Sequence, residues 1–187
     1  MPLIPDDETA CADTRRWLER AVIGLNLCPF ARGVSVKGQI HMAVARGSDP
    51  EVLVQALTGE LRALQNLDAD IRDTTLLILP DAWPDFLDFN DFLDRADATL
   101  AELGLEGVLQ IASFHPRFQF ADTEPDDIGN FTNRSPYPTL HLLREESIDR
   151  AVEAFPQAET IYEANIATLE KLGRQGWDAL QVGPSVT

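Results

Sequence analysis

The sequence has few basic residues, few cysteines and no long apolar run. Its 187 residues include 15 Lys and Arg against 31 Asp and Glu, which gives a formal net charge of −16. Binding to nucleic acid or to an anionic membrane surface requires clustered cations, so we expect neither partner. The longest apolar runs, such as 76–79, fall far short of the roughly 20 residues that span a bilayer.

Two cysteines, Cys11 and Cys28, are too few for a disulfide framework. Reduced thiols in a cytoplasm are the simplest interpretation of this count. The N-terminus is acidic and lacks the basic and apolar regions of a signal peptide. We therefore predict a cytoplasmic protein, whose oligomeric state the sequence leaves open.

Three nucleotide-binding and catalytic motifs are also missing. The chain has no Gly-rich phosphate loop, no Gly-x-Gly-x-x-Gly fingerprint and no Gly-x-Ser-x-Gly elbow. These absences weigh against a nucleoside triphosphatase, a Rossmann dehydrogenase and a serine hydrolase.

The hydrophobic pattern predicts one α/β domain over residues 10–180, between a flexible tail at 1–9 and a C-terminal tail at 181–187. The first expected helix begins at Asp13 or Thr14, and the later ones cover about 50–67, 84–103, 145–154 and 156–172. The expected strands cover 39–45, 74–79, 108–114 and 139–143. Such alternation favours parallel crossovers. We expect about four mostly parallel strands covered by helices, although the last strand could pair antiparallel with the one before it.

The most informative segment is the long loop of residues 116–138, before the last strand. Structureless stretches of this length are usually functional or disordered, and disordered ones are poor in aromatics. This loop contains Phe118, Phe120, Phe131 and Tyr137, so we expect it to be ordered and packed. It begins at the carboxyl end of a strand, where open α/β sheets bind ligands.

Polar residues on this loop predict a site for a small anionic molecule. The candidate ligand-binding residues are Arg134, Asn130, Asn133, Ser135 and Arg117. A guanidinium makes bidentate bonds to carboxylate or phosphate. His115 and His141 bracket the loop and are candidates for acid–base catalysis on the bound anion. The alternative is that these groups only satisfy the loop's own carbonyls and acids.

Cys28 is the third candidate catalytic residue. A Cys before Pro can begin a helix, where the helix dipole and a nearby Arg lower the thiol pKa. The string Cys28-Pro29-Phe30-Ala31 also resembles the start of the active helix in glutathione-using thioredoxin-fold proteins, although there it follows a strand and here a predicted helix. The alternative is a small buried residue at a helix end.

No metal site and no cofactor are predicted. Zinc is an alternative, with His41, His115, His141 and Cys28 as the available ligand types. No pair of them has metal-motif spacing, so any convergence would depend on the fold.

Four strings together resemble an uncharacterised bacterial family, domain of unknown function fourteen-fifteen. They are Asn26–Ala31, Phe114–Pro116, Asn130–Pro138 and Leu140–Glu145. The resemblance extends from about Thr14 to Leu180 and implies a single bacterial domain. It assigns no activity and no catalytic role.

Three functions follow as hypotheses. The first is a protein that binds a small anionic metabolite, with an enzyme that uses His and Arg groups as one form of this hypothesis. The second is a non-catalytic interaction module, with the aromatic loop as its contact surface. The third is a thiol-dependent redox protein that acts through Cys28.

Overall fold

The computed structural model of the chain describes residues 5–155, 157 and 160–185. The first four residues of the predicted N-terminal tail and the last two of the predicted C-terminal tail lie outside the described residues. The elements are α1 (Asp7–Trp17), a π-helical segment (Leu18–Ile23), α2 (Ala31–Val36), β1 (Ile40–Val44), α3 (Pro50–Asn66), β2 (Thr74–Ile78), α4 (Phe86–Glu102), β3 (Leu109–Phe114), a 3-10 helix (Ile128–Asn133), β4 (Thr139–Arg144), α5 (Glu145–Ala154) and α6 (Ile161–Ala179). None of the helices in these ranges has both the length and the apolar character needed to cross a membrane.

The four strands form one sheet in the order β1-β2-β4-β3. β1 and β2 are parallel, whereas β4 is antiparallel to both of its neighbours, β2 and β3. The prediction of a mostly parallel sheet is therefore wrong, and the antiparallel alternative for the last two strands is confirmed. Strands β1, β2 and β3 do share one direction, as crossover helices require. The long loop then returns the chain, and β4 inserts between β2 and β3.

The register of β4 decides which side chains face each side of the sheet. His141 lies opposite Leu76 of β2 and Ala112 of β3. Because strand side chains alternate, Leu140 and Leu142 point to the other face. Those two leucines join the main core, beneath α3 and α4.

The main core is built by the amphipathic helices α3 and α4. The carboxylate of Asp49 caps the start of α3 by accepting from the Glu51 N–H at 2.9 Å, and Pro50 is the first helical residue. From there α3 buries leucines at helical spacing, and α4 buries Phe89 and Phe92.

The opposite face of the sheet is covered by α1, the π-helical segment and α6. Trp17 and Leu169 are buried there, and Trp17 makes an edge contact with Phe114 of β3 at 5.0 Å between ring centroids. Several residues of this second hydrophobic cluster line a cavity on this face of the sheet.

Helix α1 begins earlier than the sequence pattern predicts. Its N-cap is Asp6, whose carboxylate accepts from the Thr9 N–H at 2.7 Å, so the predicted start at Asp13 or Thr14 is wrong. Asp13 has the residue type of a cap, but its carboxylate is buried and hydrogen bonded to distant residues. One of these is Ser185, which donates to Asp13 through its backbone and its hydroxyl.

Candidate functional site

A cavity of about 550 Å³ lies between this second face of the sheet and helices α1, α2 and α5. We call it the sheet cavity. Its wall is largely apolar and includes Trp17, Leu18, Val22, Phe30, Ile40, Leu76, Phe114 and Ile148. Cavities of a few hundred Å³ with apolar walls and few polar groups are the usual form of small-molecule sites.

His141 lines the sheet cavity, and the hydrogen bonds of its ring define the protonation state of each nitrogen. Its Nε2 lies 2.7 Å from the Thr74 Oγ1, and that hydroxyl donates to the Leu142 carbonyl at 2.7 Å. Because the hydroxyl has only one hydrogen, it accepts from His141, so Nε2 carries the proton. Nδ1 then carries a lone pair, and among the described residues it has no hydrogen-bond donor. Burial lowers the pKa of His141 to about 4, which keeps the ring neutral near pH 7.

Cys28 lies on the wall of the same cavity. The π-helical segment ends before Asn26, whose φ of 57° turns the chain, and Cys28 follows at the approach to α2. Burial raises the pKa of the thiol, although the backbone N–H groups of Phe30 and Ala31 oppose this effect. Cys28 is therefore a neutral thiol, and no hydrogen bond joins it to His141 within the described chain.

The exposed rim of the sheet cavity is positively charged. Lys37 and Arg150 are its exposed cations; Arg150 is paired with Glu146, whereas Lys37 has no carboxylate within 4 Å in the described parts of the chain. An unpaired ammonium is notable in a chain of net charge −16. The opposing acid on the wall, Asp73, accepts a hydrogen bond from the Ser147 hydroxyl at 2.6 Å.

Arg144 also lines the sheet cavity, but its guanidinium serves the fold. It donates to the carbonyls of Leu64 and Leu67 at 2.6 Å and to that of Arg72 at 2.9 Å. The positive charge lies at the C-terminus of α3, where the helix dipole favours a cation. Arg144 thus ties the end of α3 to β4.

Helix α5 forms the outer wall of the sheet cavity. It buries no residue completely, yet Ile148, Ala151 and Ala154 line the cavity. Just beyond it, Phe155 makes an edge contact with Phe30 at 6.1 Å. Neither α5 nor the cavity rim was among the candidate sites predicted from sequence. The apolar face of α5 was the sequence feature that could have indicated its place at a cavity.

His115 does not share the cavity with His141. It follows Phe114, which points into the cavity, so strand alternation directs His115 to the α4 side. The ring is fully buried: its Nε2 lies 2.9 Å from the Trp83 carbonyl and its Nδ1 accepts from the Arg117 N–H at 3.0 Å. Burial lowers its pKa as well. Both nitrogens are occupied, which leaves none to meet a substrate.

Three of the predicted loop residues are hydrogen bonded within the protein. The Asn130 amide oxygen accepts from the Phe120 N–H at 2.9 Å, and its nitrogen donates to the Glu124 carbonyl at 2.8 Å. The Ser135 hydroxyl donates to the Tyr137 carbonyl, and Asn133 donates to a carbonyl of β3. These contacts correspond to the alternative in which loop polar groups satisfy nearby carbonyls.

The two predicted arginines lie apart from the sheet cavity. Arg117 pairs with Asp85 at 3.2 Å on the surface. Arg134 donates to the carbonyls of Phe118 and Pro125 and lines a second cavity of about 180 Å³ together with Arg174. We call this second space the arginine cavity. Arg174 was not predicted from sequence, because nothing local connects it with the loop.

The residues considered for zinc do not converge. His41 faces the α3 side of the sheet, with Glu60 at 3.7 Å, whereas His141 and Cys28 face the sheet cavity. Over the described residues, no group of three or more His, Cys, Asp and Glu side chains has the arrangement of metal ligands.

The raised pKa of Cys28 leads to a first prediction, on thiol reactivity. In a Cys11→Ser background, Cys28 should react with iodoacetamide near pH 7 more slowly than free cysteine does, because less of it is thiolate. The rate should increase as the pH rises above about 8.5, the usual pKa of a thiol. Intact-protein mass spectrometry measures both rates, and alkylation as fast as that of free cysteine would contradict the assignment.

Fold and site together define a mixed α/β domain with a largely apolar cavity on one face of its sheet. The chain belongs to the family described as Protein of unknown function (DUF1415), whose model matches residues 9–179. The resemblance to this family, stated from the sequence, is thereby confirmed. Comparison with curated proteins and with solved structures gives no match.

Proposed function

We propose that this protein binds a small, largely apolar molecule with one negatively charged group in the sheet cavity. The observation that carries the proposal is the combination of apolar wall, single lone-pair nitrogen and positive rim in one cavity. The apolar wall takes the body of the ligand, since burial of apolar surface contributes roughly 25 cal/mol per Å².

The polar groups of the cavity restrict the ligand further. A neutral His141 with a free Nδ1 accepts a hydrogen bond, so the matching ligand group is an N–H or O–H donor. Lys37 at the rim favours a carboxylate or a similar anion. The hypothesis of an anionic ligand, made from the loop arginines, is therefore kept, but the site proposed for it is a cavity that those arginines do not line.

Three related compounds test this proposal by isothermal titration. Indolylacetate has an apolar ring, an N–H donor and a carboxylate; its methyl ester lacks the charge, and naphthylacetate lacks the donor. We expect indolylacetate to bind more tightly than both, because only it meets Lys37 and His141 together. Exposed charge pairs contribute about 0.2–1 kcal/mol, so the charge alone should change the affinity roughly 1.4–5-fold.

Matched variants show whether binding takes place in the sheet cavity. Ala151→Trp on α5 fills the cavity and should abolish binding, whereas Val152→Trp, at the next and outward-facing position, should leave it unchanged. Lys37→Met should remove the preference for the acid over the ester. His141→Phe should remove the preference for indole over naphthalene. Absence of saturable binding, or equal binding by Ala151→Trp, refutes the proposal.

Thiol chemistry at Cys28 is the second candidate, because this thiol shares the cavity with His141. The raised pKa of the free protein counts against it, and Cys11 packs in a separate cluster near Tyr137. The interaction module has less support. Two of its proposed contact residues are packed within the protein. The ring centroid of Phe118 lies 4.9 Å from that of Phe86, and that of Phe120 lies 5.6 Å from that of Tyr162.

A further inference from the structure

We infer that the arginine cavity is a separate binding site for a phosphate-like oxyanion, held between Arg134 and Arg174. The inference does not depend on the proposed function, since the two cavities share no lining residue. A space of about 180 Å³ accommodates a phosphate group and little more.

Two guanidinium groups lie over one aromatic ring in this cavity. The Arg134 guanidinium carbon is 4.2 Å from the Phe131 ring centroid, and that of Arg174 is 5.0 Å from it. Trp177 supports the ring from its edge at 5.1 Å. Burial and the charge of Arg174 both lower the pKa of Arg134. An anion between the two arginines would relieve this repulsion.

Hydrogen-bond donors remain unused around this cavity. Arg134 donates through Nε and Nη2 to the carbonyls of Phe118 and Pro125, and its Nη1 has no acceptor among the described residues. The backbone N–H groups of Ser135 and Gly183, two residues of the cavity wall, likewise have no acceptor in the described ranges. Oxyanions are bound by such combinations of guanidinium and backbone donors.

The carboxylates near the arginines do not saturate them. Asp178 accepts from the Arg174 Nε at 3.2 Å, but both side chains are about 60% exposed, so the pair is weak. The Nη groups of Arg174 have no acceptor within the described part of the chain. Asp126 approaches Arg134 without forming an ion pair.

The test uses the whole protein and inorganic phosphate as the probe. Titration followed by phosphorus NMR and by the amide signals of Ser135 and Gly183 should give saturable shifts at constant ionic strength. Arg174→Gln should weaken binding roughly 5-fold or more, because it removes one of the two guanidinium groups that would contact the anion. This variant is preferred over one at Arg134, whose guanidinium also holds two loop carbonyls.

Lys171→Gln is the matched control, since it removes the same charge from an exposed position three residues earlier, on the part of α6 before its kink at Gly173. It should leave phosphate binding within 2-fold of the unmodified protein. Equal weakening by the two variants would show general charge attraction and overturn the site. Phosphate shifts that do not saturate, or that spare Ser135 and Gly183, would overturn it as well.

Discussion

Replacing Phe89 by Ala should destabilise the protein by about 3–5 kcal/mol. The Phe89 ring is fully buried in the main core. Its ring centroid lies 5.2 Å from that of His115, on which it stacks, and 6.2 Å from that of Trp83. Its removal opens a cavity that the surrounding helix and sheet cannot close. Since whole domains are stable by about 5–15 kcal/mol, this loss is a large share of the total.

Urea denaturation at pH 7 measures this effect, with Leu87→Ala as the control. Leu87 lies two residues earlier on α4 and is 70% exposed, so its truncation should change the free energy of unfolding by no more than about 0.5 kcal/mol. A loss below about 1 kcal/mol for Phe89→Ala would show that the ring does not hold α4 against His115.

The second large effect concerns the buried carboxylate of Asp13. It accepts from the Tyr137 hydroxyl at 2.6 Å, from Arg16 at 2.7 Å and from the backbone and hydroxyl of Ser185. Asp13→Ala leaves these donors without their acceptor, and we expect a loss of about 3 kcal/mol. Tyr137→Phe removes one donor only and should cost about 1 kcal/mol.

The stabilisation by Asp13 should also depend on pH. Burial raises the pKa of this carboxyl, but the hydrogen bonds from Ser185, Tyr137 and Arg16 outweigh burial, and the folded pKa is lowered. The stabilisation is therefore complete above the unfolded pKa of about 3.9 and is lost as the pH falls through the folded pKa.

Denaturation of the unmodified protein and of Asp13→Asn at several pH values isolates this contribution. The difference in unfolding free energy between the two should narrow as the pH is lowered below about 4, because only the aspartate takes up a proton there. A difference that stays constant from pH 7 to pH 3 would contradict the assignment, as would an Asp13→Ala variant of unchanged stability.

Most helices and strands were predictable because their signals are local. The Asp49-Pro50 start and the leucine spacing predicted a helix over 50–67, and α3 spans Pro50–Asn66. The apolar run at 74–79 became β2, and the alternation at 139–143 became β4. The start of α1 was missed because Asp6 and Asp13 have the same residue type, and only tertiary contacts bury the second.

The sequence indicated which residue types to consider for a site, but it did not indicate which residues the fold would place together. His141 and Cys28 stood out in the sequence, and the structure places them on one cavity. His115 stood out equally, yet the period-2 alternation of β3 sends it to the opposite side of the sheet. Lys37 and Arg174 had no local signal, since their significance arises from neighbours that are distant in sequence.

By itself the sequence determined the class of the fold, the ordered aromatic loop and the membership of one family, because periodicity, turn residues and motifs are local properties. Only the tertiary structure decided the strand order, the antiparallel insertion of β4 and the separation of the two cavities. The physical reason is that a strand pairs through its backbone, which is the same in every residue. Which strand it pairs with depends on how the apolar faces of all the strands and helices are buried at once, and the sequence of one segment does not contain that information.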